Sequence, residues 1–443
     1  MDRRSFLRGT ASAAAAIPLT AFMSRAEAHG WHRPVTPGYG PLVATPDQTT
    51  GLPLLHLPEG FTYLSFGWTG DLMSSGLPTP GSHDGMAAFP SRRHRTRLVR
   101  NHERGAGTPF SSAYYDIQAG GGTTTLEFDT RKGELVSAYD SLSGTIRNCA
   151  GGPTPWGSWL TCEETTLFTT VPHGYIFDVP ADGFGDPTPI RDMGRFSHEA
   201  VAIDPHTGHV YETEDAGGSS GFYRFVPRRR HRLADGGRLY MLKVKDTPDA
   251  NLGASYPNGT QFKVEWVRIE TPDNESSTMP GNFVWSQGRA QGAATFARLE
   301  GCWHGDDGKI YIVSTNGGIG QGQIWIYDPH REKITLLFES PGAEVLNAPD
   351  NITVSPRGGL VLCEDGSGEE FVHGLTVDGE IFQFAKNNVI IPLDQARNGI
   401  SGNFAGSEFA GACYSPDGRW LFVNVQSPGT TFAITGPWKW GGL

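Results

Sequence analysis

The feature that most constrains this chain is a unit that recurs six times with the same grammar. A polar residue of metal-ligand type opens a short strand, a turn such as Ser/Asp-Pro-x-Gly reverses the chain, and an apolar strand returns to end in acids or amides. His83-Asp84-Gly85 leads to Arg97-Leu98-Val99-Arg100 and ends at His102-Glu103. Asn148-Cys149-Ala150 leads to Trp159-Leu160 and ends at Glu163-Glu164, and His198-Glu199 leads to Val210-Tyr211 and ends at Glu214-Asp215. Glu300-Gly301 leads to Ile310-Tyr311-Ile312-Val313 and ends near Asn316, and Asp350-Asn351 leads to Leu360-Val361-Leu362 and ends at Glu364-Asp365. Glu408-Phe409 leads to Leu421-Phe422-Val423 and ends near Asn424 and Gln426. The openers are separated by 65, 50, 101, 50 and 58 residues.

β units repeating every ~40–50 residues are the signature of a propeller. With 59 glycines, 31 prolines and no sustained helical periodicity, the chain is expected to be all-β. The expectation is a six-bladed β-propeller with an insertion between the third and fourth repeats. That insertion carries Phe222-Tyr223-Arg224-Phe225, the basic run Arg228-Arg229-Arg230-His231-Arg232, read as a solvated loop face, and Leu239-Tyr240-Met241-Leu242.

Ahead of the repeats stands Arg3-Arg4-Ser5-Phe6-Leu7-Arg8, then an apolar stretch from Ala11 to Met23 and the small-x-small sequence Ala26-Glu27-Ala28. This order reads as a twin-arginine export signal over residues 1–28. Residues 29–443 then form a single propeller domain, with the twin-arginine machinery as export partner and a periplasmic or secreted destination. No later apolar run reaches the ~20 residues of a spanning helix, so no stable membrane anchor is expected. The chain has a formal charge of −11; its first 28 residues hold four arginines and two acids, which leaves −13 for the remainder. That balance argues against nucleic acid as a partner and suits calcium, which takes oxygen ligands. Five cysteines without a CxxC spacing indicate neither a zinc ribbon nor a disulfide scaffold.

In a propeller the first strand of each unit lines the central channel. Six openers then reach one mouth: Asp84, Cys149, Glu199, Glu300, Asp350 and Glu408. The second strands run back to the same end and deliver Glu103, Glu163, Glu164, Glu214, Asp215, Glu364 and Asp365. So many converging carboxylates must protonate or take up cations. Oxygen ligands favour calcium, magnesium or manganese, and one thiolate among them points to an additional iron or zinc. A lone buried cysteine is ordinarily packing, as expected for Cys162, Cys302, Cys363 and Cys413. The setting Asn148-Cys149-Ala150-Gly151-Gly152 favours a ligand. Glu163 and Glu164 form either a solvated strand end or a pair of which one faces the metal, and Glu364 and Asp365 either join the ring or cap a loop. Arg298 lies two residues before Glu300 and on a strand shares its face. It is suited to grip a phosphate bidentately, or else to form an ion pair with a neighbouring acid.

These motifs resemble those of the PhoX-type alkaline phosphatases. The stretches that carry the resemblance are Gly76-Leu77-Pro78-Thr79-Pro80 through Met86-Ala87, Asn101-His102-Glu103, and Asn148-Cys149-Ala150-Gly151-Gly152 with Thr154-Pro155-Trp156-Gly157. They continue with Thr161-Cys162-Glu163-Glu164, Gly194-Arg195-Phe196-Ser197-His198-Glu199, Ala297-Arg298-Leu299-Glu300-Gly301, Pro349-Asp350-Asn351 and Ser415-Pro416-Asp417-Gly418 to Gly429. The resemblance implies an exported six-bladed phosphomonoesterase with two ferric irons and three calciums joined by an oxo group. It implies Cys149 as an iron ligand and Glu199 as a ligand within the iron–calcium centre. Glu163 or Glu164, Glu300, Asp350, Glu364 or Asp365, and Glu408 would supply carboxylate oxygens, and Arg298 would bind substrate phosphate. Gly144 departs from the pattern, standing where a further acidic ligand is expected. The alternatives are a calcium propeller hydrolase of another class, a lactonase or phosphodiesterase, and a non-catalytic exported binding propeller.

Overall fold

The β-branched and aromatic runs of the repeats form strands whose side chains are buried on both faces, as in Ile310–Ser314 and Leu360–Glu364. The computed structural model describes residues 38–274 and 280–443; the expected signal, residues 1–28, lies outside the described residues. Among those residues the only α-helix is Phe283–Arg289, and no helix is long and apolar enough to cross a membrane. The fold is all-β and propeller-like.

The turns follow from their residues. In Ser415-Pro416-Asp417-Gly418 the Asp417 carboxylate accepts from Ser415 Oγ at 2.6 Å and from the Arg419 amide at 3.2 Å. Gly418 takes φ +66°, a left-handed value that a residue with a Cβ adopts only under strain.

Six unit-opening strands touch in a closed cycle. His83–Pro90 lies against Asn148–Pro153, then come His198–Ile203, Leu299–His304, Pro349–Val354 and Phe409–Tyr414, which returns to His83–Pro90. The approach is close: a Cβ added at Gly85 would stand 2.6 Å from Ala150 Cα, and one at Gly301 would stand 2.6 Å from the Asp350 carbonyl. Every opening strand slips register in its first half, between His83/Met86, Asn148/Gly151, His198/Val201, Leu299/Cys302, Pro349/Ile352 and Ala410/Cys413. Such bulges bend a strand and re-aim its side chains.

The sheets do not divide into six separate blades. Two are four-stranded, one is three-stranded, one is six-stranded and one is nine-stranded, beside a two-stranded hairpin. The nine-stranded sheet holds both the third and fourth units. Gln261–Arg268 pairs with Gly237–Val244 on one side and, through Gln261 to Lys263, with Lys333–Glu339 on the other. The long gap between openers therefore builds strands into this sheet rather than standing apart from it. The hairpin of Leu42–Thr45 and Leu55–Pro58 extends the fifth unit. Thr62–Phe66 pairs with Thr430–Thr435 and completes the sixth. Trp303 packs against three separate hydrophobic clusters, filling space between sheets.

Candidate metal centre

One hydrogen bond recurs at the start of all six units and fixes which residues face the mouth. The amide that ends each second strand donates to the carbonyl two residues before each opener. The pairs are Glu103 to Ser82, Glu164 to Arg147, Asp215 to Ser197, Thr315 to Arg298, Asp365 to Ala348 and Gln426 to Glu408, at 2.8–3.3 Å. In this register the openers are Asp84, Cys149, Glu199, Glu300, Asp350 and Ala410. The sixth unit thus has no ligand at the opener. Glu408 precedes the strand Phe409–Tyr414 and occupies the place held by Arg147 and Arg298 in their units.

The openers and strand ends meet. Ligand atoms of Cys149, Glu164 and Glu199 lie within 4.8 Å of one another, as do those of Glu199, Glu300 and Asp350. The same holds for Asp84, Glu103 and Glu408, and for Asp350, Asp365 and Glu408. Glu199 is shared by the first two groups, Asp350 by the second and fourth, and Glu408 by the last two, so the groups form one continuous cluster.

Glu163 and Glu364 fall outside it. Glu163 accepts from the amides of Ile146, Gly174 and Tyr175 and from His173 Nδ1 at 2.6 Å. Glu364 accepts from the amides of Asn347 and Phe371 and lies 3.0 Å from His373 Nε2. Glu214 is likewise committed, to Tyr223 Oη and the Gly221 amide. The register explains this. In these three units the strand-paired residue, Glu163, Glu214 or Glu364, turns into the sheet, and the next residue, Glu164, Asp215 or Asp365, turns to the mouth. Gly144 leaves no room for a ligand: at φ +75° an added Cβ would lie 2.6 Å from Tyr114 Cβ. Cys162, Cys302, Cys363 and Cys413 are buried in hydrophobic clusters, and all five cysteines are free.

The openers are held by polar side chains beneath them. Asn101 Nδ2 donates to the carbonyls of Cys149 and Ala150 at 3.0 and 2.8 Å, while its Oδ1 accepts from Trp159 Nε1 and Thr161 Oγ1. Asn424 Nδ2 donates to the Asp84 carbonyl at 2.6 Å, and Thr213 Oγ1 donates to that of Glu300 at 2.6 Å.

Electrostatically the cluster is incomplete as protein alone. Burial, then the charges of neighbouring acids, push Asp84, Glu199, Glu300 and Glu408 well above the carboxylate range. The same causes raise Asp350 to about 8. Burial outweighs Arg147 in raising Glu164 to about 8. The Cys149 thiol is raised by burial and by Asp84 and Glu199, and its Sγ lies 3.2 Å from Glu199 Oε1. Glu199 Oε2, Glu300 Oε1 and Asp350 Oδ1 are buried without an aligned hydrogen bond, although Arg298 Nη2 stands 2.6 Å from Glu300 Oε1. Buried anionic oxygens of this kind are stabilised by cations. The donor set of many oxygens and one sulfur fits hard cations together with one softer metal.

Two arginines rim the cluster. Arg298 Nε lies 3.1 and 3.2 Å from the two Asp215 oxygens, and its Nη2 is 3.0 Å from Asp215 Oδ2. Arg147, not singled out in the sequence, bridges Glu103 Oε1 at 3.2 Å and Glu164 Oε2 at 3.1 Å. Its position two residues before Cys149, matching Arg298 before Glu300, was the available signal. A cleft of about 480 Å³ opens beside the cluster between Asp365, Asn403, Phe404, Ser407, Glu408 and Gln426.

No curated protein matches the chain. Among solved structures it is similar to PhoX of Pseudomonas fluorescens in complex with vanadate, a transition state analogue. The TM-score is 0.64 at 18% identity, covering 92% of this chain and 99% of that one. Weaker likeness links it to a gluconolactonase of Xanthomonas campestris (TM-score 0.42, 14% identity, 92% and 100% covered). Virginiamycin B lyase of Staphylococcus aureus follows (TM-score 0.41, 13% identity, 85% and 99% covered). The sequence itself matches the family described as alkaline phosphatase PhoX over residues 37–141 and 128–429, and the chain belongs to that family.

Proposed function

We propose that this chain is a metal-dependent phosphomonoesterase whose cluster is built from Cys149, Glu164, Glu199, Glu300, Asp350, Asp365 and Glu408, with Asp84 and Glu103 completing it. Family membership makes it a metal-dependent phosphatase of the alkaline type. The observation that carries the site assignment is the convergence of four linked ligand groups at one end of the strand cycle. A mixed iron–calcium loading is the reading that the donor set supports best, with Cys149 on iron and the oxygen-only groups on calcium. The nine-stranded sheet is read as two blades joined at their outer edges, which makes six blades in all. The twin-arginine reading of residues 1–28 makes the enzyme exported.

When bound, the metals supply charge neutralisation for phosphoryl oxygens and lower the barrier to phosphoryl transfer. The protein's own part is positional. Arg298, a third exposed, is held by its Nε–Nη2 edge on Asp215 and turns Nη1 to a phosphate oxygen. Asn101, Thr213 and Asn424 hold the openers in place, so little reorganisation accompanies binding. The cleft beside Asp365 and Glu408 leaves room for the alcohol portion of the ester.

The test uses natively exported protein purified without chelator, with elemental analysis and turnover of p-nitrophenyl phosphate on the same sample. Iron and calcium together with turnover are expected. Calcium alone without turnover overturns the reading.

A further inference from the structure

Arg147 and Arg298 are repeat-mates. Each offers its carbonyl to the strand-end amide of its own unit, from Glu164 and Thr315 respectively. Each is a non-glycine residue with a left-handed backbone, φ +50° and +49°. Each directs Nε to an acid that ends a strand of the preceding unit, Glu103 for Arg147 and Asp215 for Arg298. Each places Nη2 on a metal-facing carboxylate of its own unit, Glu164 at 3.1 Å and Glu300 at 2.6 Å. Their side chains are 48% and 33% exposed.

The turn does not demand an arginine. The same position holds Ser82, Ser197, Ala348 and Glu408 in the other four units, joined by the same backbone bond. Fold alone therefore leaves the two cations unexplained. They are also adjacent in the network: Asp215 stands close enough to Glu164 to raise it, so the order runs Arg147, Glu164, Asp215, Arg298. Among the described residues, the Nη1 group of neither arginine makes a hydrogen bond.

We propose that Arg147 is a second anion-binding cation of the mouth, gripping the phosphate of the substrate from the side of Cys149 while Arg298 grips it from the side of Glu300. This rests on the phosphatase reading of the same site. A phosphate presents several oxygens to partners on different sides, and the Nη1 groups that the carboxylates leave unbonded meet it from two sides with charge-assisted bonds. The alternative, a cation that only neutralises the mostly buried Glu103 and Glu164, predicts that removing Arg147 disturbs metal content and leaves phosphate affinity unchanged.

The experiment compares the metal-loaded full chain with Arg147→Ala, Arg147→Lys and Arg298→Ala. Inorganic phosphate binding is measured by calorimetric titration, KM and kcat with p-nitrophenyl phosphate, and metal content by elemental analysis. Arg147→Ala is expected to weaken phosphate binding and raise KM by about ten-fold or more, with metal content unchanged, as Arg298→Ala does. Arg147→Lys keeps the charge but loses the fork, and should recover only part of the affinity. Wild-type phosphate affinity in Arg147→Ala at full metal content overturns the proposal. If Arg147→Ala loses metal or fold, Arg147→Lys decides: full metal with weakened phosphate binding supports it, and unweakened binding overturns it. A wild-type protein that binds phosphate yet turns over no monoester defeats the phosphatase reading, while the titration still judges Arg147.

Discussion

Cys149 is the one soft donor in a cluster otherwise made of oxygens, and the chemistry of the site divides at that atom. Its sulfur is buried beside Glu199, and no hydrophobic cluster includes it, unlike the other four cysteines. Changing Cys149→Ala should remove the transition metal and leave turnover down by orders of magnitude, while calcium stays and the far-ultraviolet circular dichroism is unchanged. Elemental analysis of the purified variant checks this; iron retained at the wild-type level contradicts the ligand role. Strand alternation sends Glu163 and Glu164 opposite ways, and likewise Glu364 and Asp365, without deciding which of each pair reaches the mouth. The answer depends on the bulge register, which sequence does not display. Arg147 went unnoticed for a related reason. Its significance lies in a recurring backbone bond and a left-handed conformation, neither of which leaves a compositional trace.

At the scale of the strand, three openers, Asp84, Cys149 and Glu300, are supported by a side chain from the neighbouring unit's second strand. Asn101 is the fullest case, with all its described bonds made in a buried site: two donated to the carbonyls of Cys149 and Ala150, two accepted from Trp159 and Thr161. Replacing Asn101→Ala strands those partners in a site that water does not reach. Each buried polar group left unsatisfied costs about 1–3 kcal/mol. The expected outcome is an unfolding free energy lowered by that order, read from a fall in the urea midpoint at unchanged slope, together with weaker metal retention at Cys149. An unchanged midpoint would show that the bulge is held by the ladder alone. Five of six openers were legible from residue type and spacing, because ligand and strand begin together there. The sixth was displaced because its acid, Glu408, stands before the strand, and Ala410 holds the equivalent place. The outer strands were less legible still. Gln261–Arg268, with its mixed burial, joins two units into one sheet, and nothing in its own composition says which edge it will extend.

For the molecule as a whole, the cluster sets an unusual dependence of stability on pH once metals are stripped. Asp350 and Glu164 titrate in the folded chain at about 8, far above the ordinary carboxylate values near 4. A group raised on folding contributes stability below its unfolded value and loses it as pH climbs through its folded value. Metal-stripped protein should therefore lose stability as pH rises from about 4 to about 8. Calcium restored at pH 8 should recover the lost thermal midpoint, since a ligand bound only by the folded state stabilises it by mass action. Thermal scans with and without chelator across that range test the sign. A midpoint that rises with pH in the stripped protein contradicts it.

The pairing of Thr62–Phe66 with Thr430–Thr435 bears on the order of events during synthesis. The ring's seam is stitched between a stretch emerging early from the ribosome and one emerging nearly last. Glu408, which two of the four ligand groups require, also belongs to this late portion. A nascent chain that has not reached residue 408 lacks a carboxylate that two of the ligand groups share, and one that has not reached residue 435 lacks the strand that joins Thr62–Phe66 to the sixth unit. Completion of the ligand set and sealing of the seam therefore both wait for the last part of the chain, the ligands first and the seam strand after them.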